Sequence, residues 1–398
     1  MPPIKSLGVY VHVPFCKKKC HYCDFYSVCD PSKIEQYVRA VKAHIDENAF
    51  TNMSYEVDSI YFGGGTPTVL GAKNLYKIYN QLLGSFKVLN HAEVTLEANP
   101  ESVDLPMLKK LRKHGFNRIS IGLQSSSNYE LMALGRLHTF EQGKKAVEMA
   151  KKAGFKNISL DLMYGLPNQT YDTFKQTIED IVALEPQHIS AYALKLEEGT
   201  HLHSLFNDKI DDELQADMYF YLITRLAELG YEQYEISNFA LPGYHSRHNS
   251  KYWDLSDYLA FGPSAHSFVN NRRFSYISNL DQYIKKIDSD EPLADQVDDI
   301  LPSERAGEYL MLRLRTTKGI DSAEFERRFF TKFDLIEDAL QRYITHNYAA
   351  QEGTRFRLTP KGFFVSNAII SELLLVLEKS EKLGAQYYNK DFKRKKWY

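Results

Sequence analysis

Three cysteines near the start of the chain carry its most specific chemistry: Cys16, Cys20 and Cys23, in the run CKKKCHYCDF. Their C-x3-C-x2-C spacing gathers three thiols in one tight loop. Thiolates ligate iron–sulfur clusters, and a four-iron cluster normally takes four cysteines. Three would leave one iron open, and an open metal position admits a substrate or cosubstrate. Lys17, Lys18 and Lys19 would help keep the thiolates ionised and offset cluster charge. Zinc is the competing reading, with His21 as a fourth ligand. His21 sits between Cys20 and Cys23, where loop geometry makes sharing one ion difficult. Cys29 is six residues past Cys23 and reads as a spare thiol.

All four cysteines lie in this one stretch, whereas a disulfide framework would spread them along the chain. No run is long or apolar enough to span a bilayer. The opening MPPIKSLGVYVHVPF has too short an apolar stretch for a signal peptide and is interrupted by Pro14. These features point to a reducing, cytoplasmic setting. The formal net charge of -2 gives no sign of a nucleic-acid or membrane surface. With 398 residues and a 43% hydrophobic fraction, the chain can bury one large α/β domain and a smaller one.

The elements that must position the cysteines come next. Strands are expected at Gly8–Phe15, Asp58–Gly63, Glu93–Asn99, Arg118–Gln124, Asn157–Gly165 and His188–Leu196. Amphipathic helices alternate with them at Ser32–Glu47, Ala72–Leu83, Pro106–His114, Phe140–Ala153 and Tyr171–Leu184. Ser32 with Glu35 reads as a capping box. Gly115 and Gly154 mark helix ends. Such alternation predicts right-handed βαβ units and parallel strands, in an open sheet or a curved barrel. Ligands of such folds gather at the carboxyl ends of the strands. Cys16, the turn Gly63–Thr66, Glu97, Asn99 and Gln124 all fall there, and Asp161 lies in the fifth strand. After about Leu205 the pattern changes. A helix is expected at Asp212–Leu229, before a tyrosine-rich stretch. Helices at Ser303–Leu314, Ser322–Phe329, Leu335–His346 and from about Lys361 to Leu375, with a short wing at Phe356–Leu358, suggest a winged-helix-like module. The end of the chain, KDFKRKKWY, is basic.

The cysteine spacing directly after a first strand resembles the signature of the radical S-adenosylmethionine (radical SAM) superfamily. That resemblance implies a partial (β/α)6 TIM-like barrel with a small C-terminal, mainly helical domain. It also implies a [4Fe–4S] cluster on Cys16, Cys20 and Cys23, with S-adenosylmethionine at the open iron. FGGGTPT, Phe62 to Thr68, matches the superfamily's glycine-rich turn. Consecutive glycines let backbone groups approach a ligand closely. No Gly-Lys-Ser/Thr follows, which argues against a phosphate loop.

A finer resemblance is to oxygen-independent coproporphyrinogen III oxidase and its relatives. It is carried by YVHVPFC, FGGGTPT, LEANPE, RISIGLQS, LGRLHT, DLMYGLPNQT and FGPSAHS, from Tyr10 to Ser267. By that resemblance Tyr10, Tyr22, Gly64, Gly65, Thr66, Glu97, Gln124, Arg136 and Asp161 line the S-adenosylmethionine pocket. Arg136 could fork onto the methionine carboxylate. Glu97 and Asp161 could accept from ammonium or ribose hydroxyls. The oxidases resemble C-x3-C-x2-C-x-C, but here Phe25 replaces that further cysteine.

His248, Asn249, Tyr252 and Trp253 spell H-N-x-x-Y-W, which resembles the marker of a heme chaperone branch. His248 could ligate heme iron, with His245 and His266 as rivals. Tyr252 and Trp253 could stack on a porphyrin. The expected function is therefore heme binding and transfer to acceptor heme proteins, including respiratory ones at the membrane. Porphyrin decarboxylation is the alternative, and a homodimer is left open. The domain boundaries expected are 1–240 for the cluster core and 241–300 for the heme-motif extension. Residues 301–380 form the helical domain and 381–398 the basic tail.

Overall fold

A computed structural model describes residues 5–49, 54–206 and 211–379. The basic tail, 381–398, lies outside the described residues. The chain divides into two compact units. The first takes residues up to 232, 237–251 and 256–299. The second takes 233–236, 252–255 and the chain from 300.

Six parallel strands build the first unit: β1 (Lys5–Val13), β2 (Tyr55–Gly64), β3 (Val88–Ala98), β4 (Arg118–Gln124), β5 (Ile158–Tyr164) and β6 (His188–Ala193). They pair in chain order, each with the next. Between them run α1 (Ile34–Glu47), α2 (Gly71–Ser85), α3 (Leu105–Lys113), α4 (Asn128–Ala133), α5 (Phe140–Ala153) and α6 (Tyr171–Val182). Each strand turns one face to these helices and the other inward, by the two-residue alternation of a strand. On β4, Ile119, Ile121 and Leu123 alternate with Arg118, Ser120 and Gln124, and all six are buried. Polar groups dominate the inward face of β4, and burying them requires partners or a ligand.

The sheet does not close. On the β1 side it continues into β9 (Tyr258–Phe261), parallel to β1, with Gly8 opposite Tyr258. Antiparallel β10 (His266–Val269), β11 (Arg272–Tyr276) and β12 (Ala294–Asp299) follow. At the other edge β8 (Asn238–Ala240) pairs antiparallel with β6, after α7 (His201–Phe206), α8 (Asp212–Glu228) and the two-residue β7 (Glu232–Gln233). The seventh parallel strand, β9, is not among the six that the sequence predicts. Gly262 ends it at φ +108°, and a Cβ there would sit 2.5 Å from the His12 carbonyl. Only glycine fits so close to β1.

The predicted Ser32–Glu35 capping box does not form. Asp30 caps the preceding 3-10 turn through the Ser32 amide at 2.9 Å, and Glu35 instead accepts from Asn74 and Lys77. Gly154 does end α5 in the left-handed conformation. α9 (Arg247–Trp253) and α10 (Leu280–Asp288) complete the helices before residue 300.

The second unit carries α11 (Pro302–Arg313), α12 (Ser322–Phe329), α13 (Asp334–Thr345), α14 (Pro360–Phe364) and a helix at 366–379. The single wing strand predicted at Phe356–Leu358 belongs to a three-stranded antiparallel sheet. Its order is β13 (Ile320–Asp321), β15 (Arg355–Leu358), β14 (Ala349–Glu352). Phe325, Phe333 and Phe356 form its buried aromatic core.

Candidate functional site

β1 delivers the cysteine loop to the carboxyl end of the sheet. The loop is pinned by two backbone bonds: Cys16 N–H to the Val28 carbonyl at 3.0 Å and Val28 N–H to the Pro14 carbonyl at 2.6 Å. Cys16, Cys20 and Cys23 are half-buried, and Cys29 is exposed. Burial pushes the Cys16 and Cys23 thiols up from their ordinary range. His21 is engaged elsewhere: its Nδ1 lies 3.0 Å from the Ala133 carbonyl, and its ring meets His201 edge-on at 4.6 Å. Among the described residues, no three His, Cys, Asp or Glu side chains are grouped as ligands of a single ion. Lys17 reaches the Glu101 carbonyl at 2.6 Å, whereas Lys18 and Lys19 face the cavity.

The turn after β2 locks onto this loop. Gly65 N–H donates to the Val13 carbonyl at 2.8 Å and Thr66 N–H to the Phe15 carbonyl at 2.7 Å. Thr66 Oγ1 lies 3.6 Å from Cys16 Sγ. A Cβ on Gly65 would meet the Phe15 carbonyl oxygen at 2.7 Å, so the two segments touch backbone to backbone. Gly64 adopts φ +108°, and its amide donates to Glu97 Oε2 at 3.1 Å.

Beneath the loop is a cavity of about 530 Å³. The three cysteines line it with Tyr22, Gly64, Gly65, Thr66, Glu97, Gln124, Arg136 and Asp161. Eight of the nine residues expected around the cosubstrate therefore share one space. The ninth, Tyr10, does not line it. Tyr10 stands behind, 3.3 Å from His12 Nδ1 through its hydroxyl and stacked on Tyr61 at 6.0 Å.

Arg136 brings a guanidinium into the cavity. Its Nη2 donates to Asn99 Oδ1 at 2.6 Å and to the Gly122 carbonyl at 2.7 Å, and Nη1 lies 3.4 Å from Cys20 Sγ. Its Nε is buried with no protein acceptor. Asp161 accepts from Ser120 Oγ at 2.9 Å, and burial raises its carboxyl above the usual range. Glu97 accepts from the Tyr61 hydroxyl at 2.7 Å. Burial pushes Glu97 up to about 7, against the opposing pull of that hydrogen bond.

Sequence reasoning missed several lining residues, Tyr61, Arg118, Ser120 and Ser190 among them, and it read Asn249 only as part of the H-N-x-x-Y-W motif. Strand alternation could have found two of them, because Arg118 and Ser120 share the inward face of β4 with Gln124.

The H-N-x-x-Y-W motif forms α9. His248 is 1% exposed, with Nδ1 3.1 Å from Ser59 Oγ and its backbone amide on Glu93 Oε1 at 3.2 Å. Its ring lies 5.2 Å from that of Tyr61. The next residue, Asn249, lines the cavity. Tyr252 and Trp253 are half-buried and count with the second unit. His245 and His266 are exposed.

Comparison with known proteins fits this geometry. The radical SAM superfamily model matches residues 10–181, and the HemN C-terminal domain model matches 300–365. The heme chaperone HemW of Lactococcus lactis is 32% identical over 383 residues, covering 93% of this chain and 98% of the relative. This chain belongs to the radical SAM HemW family. HemW of Haemophilus influenzae is 31% identical, covering 95% of this chain and all of the relative. HemW of Escherichia coli is 30% identical, covering 94% of this chain and all of the relative. Among solved structures, coproporphyrinogen III oxidase (HemN) from Escherichia coli superposes with a TM-score of 0.79 at 23% identity, over 94% of this chain and 90% of that one. That likeness is one of fold. Among the described residues, no helix is long and apolar enough to cross a membrane.

Proposed function

We propose that this HemW-family protein is a heme chaperone: it binds heme and passes it to acceptor heme proteins, from the cytoplasmic side of respiratory membranes. The reading rests above all on its end-to-end identity, at 30–32%, with proteins named heme chaperone HemW. The residue two places after Cys23 adds to it. The oxidases resemble one another in having a further cysteine there, whereas this chain has Phe25, 67% exposed at the cavity.

In this reading Cys16, Cys20 and Cys23 hold a [4Fe–4S] cluster, and the cavity takes S-adenosylmethionine at the open iron. Three observations support the fit. The thiols share one cavity without being grouped on a single-ion point. Gly65 lets the glycine turn pack backbone to backbone on the cysteine loop, so that both line the same cavity. Arg136 Nε is a buried donor with no protein acceptor, suited to a ligand carboxylate. A bound cluster with S-adenosylmethionine would supply one-electron reductive chemistry. The protein's own groups would bind and orient: Arg136 the carboxylate, Glu97 the ammonium, Asp161 a ribose hydroxyl. Tyr252 and Trp253 would offer ring faces to a porphyrin.

The test pairs two assays on the reconstituted protein. Hemin titration should give a saturable Soret band, and the loaded protein should restore a heme-depleted acceptor. Coproporphyrinogen III, supplied with a reductant and S-adenosylmethionine, should be left unconverted. Robust conversion to protoporphyrinogen IX overturns the reading.

A further inference from the structure

A histidine offered to heme iron should be reachable, and His248 is not. Three strands enclose it. Gly8 of β1 lets the ring in, since a Cβ there would meet the imidazole at 3.3 Å. Ser59 of β2 bonds Nδ1, and Glu93 of β3 holds the backbone amide. On α9, one turn further, Lys251 is 7% exposed, paired with Asp58 at 2.8 Å and with Ser6 Oγ at 2.5 Å. The helix is therefore fastened to the amino-terminal end of the sheet at two successive turns.

The chain of contacts leads from there to the cavity. The His248 ring lies 5.2 Å from Tyr61 and 6.3 Å from Tyr10. Tyr61 stacks on Tyr10 at 6.0 Å, and its hydroxyl donates to Glu97. Glu97 in turn accepts from Gly64, inside the glycine turn. Packed rings confine a hydroxyl more tightly than a solvated side chain could, because a close-packed interior leaves few rotamers open.

We infer that His248 is a positioning residue of the cofactor cavity, seating the Tyr61 hydroxyl on Glu97, and that it is not the ligand of heme iron. The inference rests on the cavity taking S-adenosylmethionine as proposed above. The motif's histidine then belongs to the packing behind the cavity, against β1, β2 and β3. Its neighbour Asn249 reaches the cavity directly, and the aromatic pair Tyr252–Trp253 remains for other work.

The experiment uses the full chain with its cluster reconstituted. Two probes are titrated separately: S-adenosylmethionine, read by the change in the electron paramagnetic resonance spectrum of the reduced cluster, and hemin, read by the Soret band. The variants are His248→Phe, which keeps a ring, and Tyr61→Phe, which removes only the hydroxyl. Each should weaken S-adenosylmethionine about tenfold at neutral pH, the loss of one hydrogen bond to a charged group. Hemin affinity should stay at the wild-type value. The pH midpoint of S-adenosylmethionine affinity should also move upward in both. Tyr61 helps keep Glu97 ionised, while Asp161 opposes that and Arg118 assists it. Simple loosening of the fold would not shift that midpoint. The double variant should be no worse than either single one.

Loss of the Soret band in His248→Phe with S-adenosylmethionine binding intact overturns the inference. So does wild-type behaviour of either variant toward S-adenosylmethionine. If His248→Phe loses both ligands, Tyr61→Phe decides: an unmoved midpoint there rejects the relay. A wild-type protein that itself shows no response to S-adenosylmethionine rejects the cofactor reading, and this inference with it.

Discussion

Arg136 stands 3.4 Å from Cys20 Sγ through Nη1, while its Nη2 is held by Asn99 and the Gly122 carbonyl. One guanidinium therefore ties the cysteine loop to the ends of β3 and β4. Its planar fork allows this, and a lysine could not reproduce it. Arg136→Lys is expected to weaken S-adenosylmethionine by about 10- to 100-fold, the range for losing charge-assisted contacts. Iron and sulfide content should remain, because Arg136 is not among the thiols. Equilibrium dialysis of the reconstituted variant checks both. Undiminished affinity would remove Arg136 as the carboxylate anchor.

The four cysteines should separate cleanly under substitution. Cys16→Ala, Cys20→Ala and Cys23→Ala are each expected to lose most of their iron on reconstitution. Cys29→Ala should retain the wild-type complement. His21→Ala should also keep its iron, since its imidazole is engaged by the Ala133 carbonyl and meets His201 edge-on. Iron and acid-labile sulfide analysis of the five proteins is sufficient. Full iron loss from Cys29→Ala or His21→Ala would reopen the choice of ligands.

With S-adenosylmethionine in the cavity as proposed, Glu97 would give its binding a pH dependence of predictable sign. Its carboxyl is pushed up to about 7 by burial. An ammonium partner needs the ionised form. Below that pH a proton must leave before the ligand binds, and above it none need leave. Affinity should therefore fall about tenfold per pH unit on the acid side of neutrality, and fall again above about 8 as the ligand's own α-ammonium gives up its proton. Calorimetric titrations across this range would show it. A flat profile in the wild type would mean that Glu97 does not meet the ammonium.

Much of this site was legible in the sequence, and the reason is local. Cysteine spacing, the glycine turn and the strand ends are short-range patterns, and β4 runs from Arg118 to Gln124 as the alternation predicts. Three features escaped because they depend on distant partners. β9 joins the sheet beside β1, its Tyr258 opposite Gly8, and no local pattern announces a partner so far along the chain. Tyr61 reads as one aromatic in an apolar strand, and only the inward face of β2 gives its hydroxyl a role. His248 reads as an offered ligand, because burial under three strands is a property of the fold. The Ser32–Glu35 pair shows the converse: a good local signal gave way when Glu35 found Asn74 and Lys77 on the neighbouring helix.

The buried histidines set an acid limit on stability. His12, His44 and His248 are each at most 6% exposed. Burial lowers them from 6.5 to about 4, about 3 and about 3 respectively. In the unfolded chain they take up protons near 6.5, whereas in the folded chain they resist. The stabilisation is whole above 6.5 and is lost as pH falls from there toward the folded values. Each histidine should cost roughly 1.4 kcal/mol per pH unit within that window. Urea midpoints measured from pH 7.5 down to about 5 should therefore drop steeply below 6.5. His44 is the best single probe, because it lies outside the cofactor cavity, bonded to Tyr283 at 2.9 Å. His44→Gln should start less stable at pH 7 and show a shallower acid slope. An equal slope in the variant would mean that His44 is already protonated in the native state.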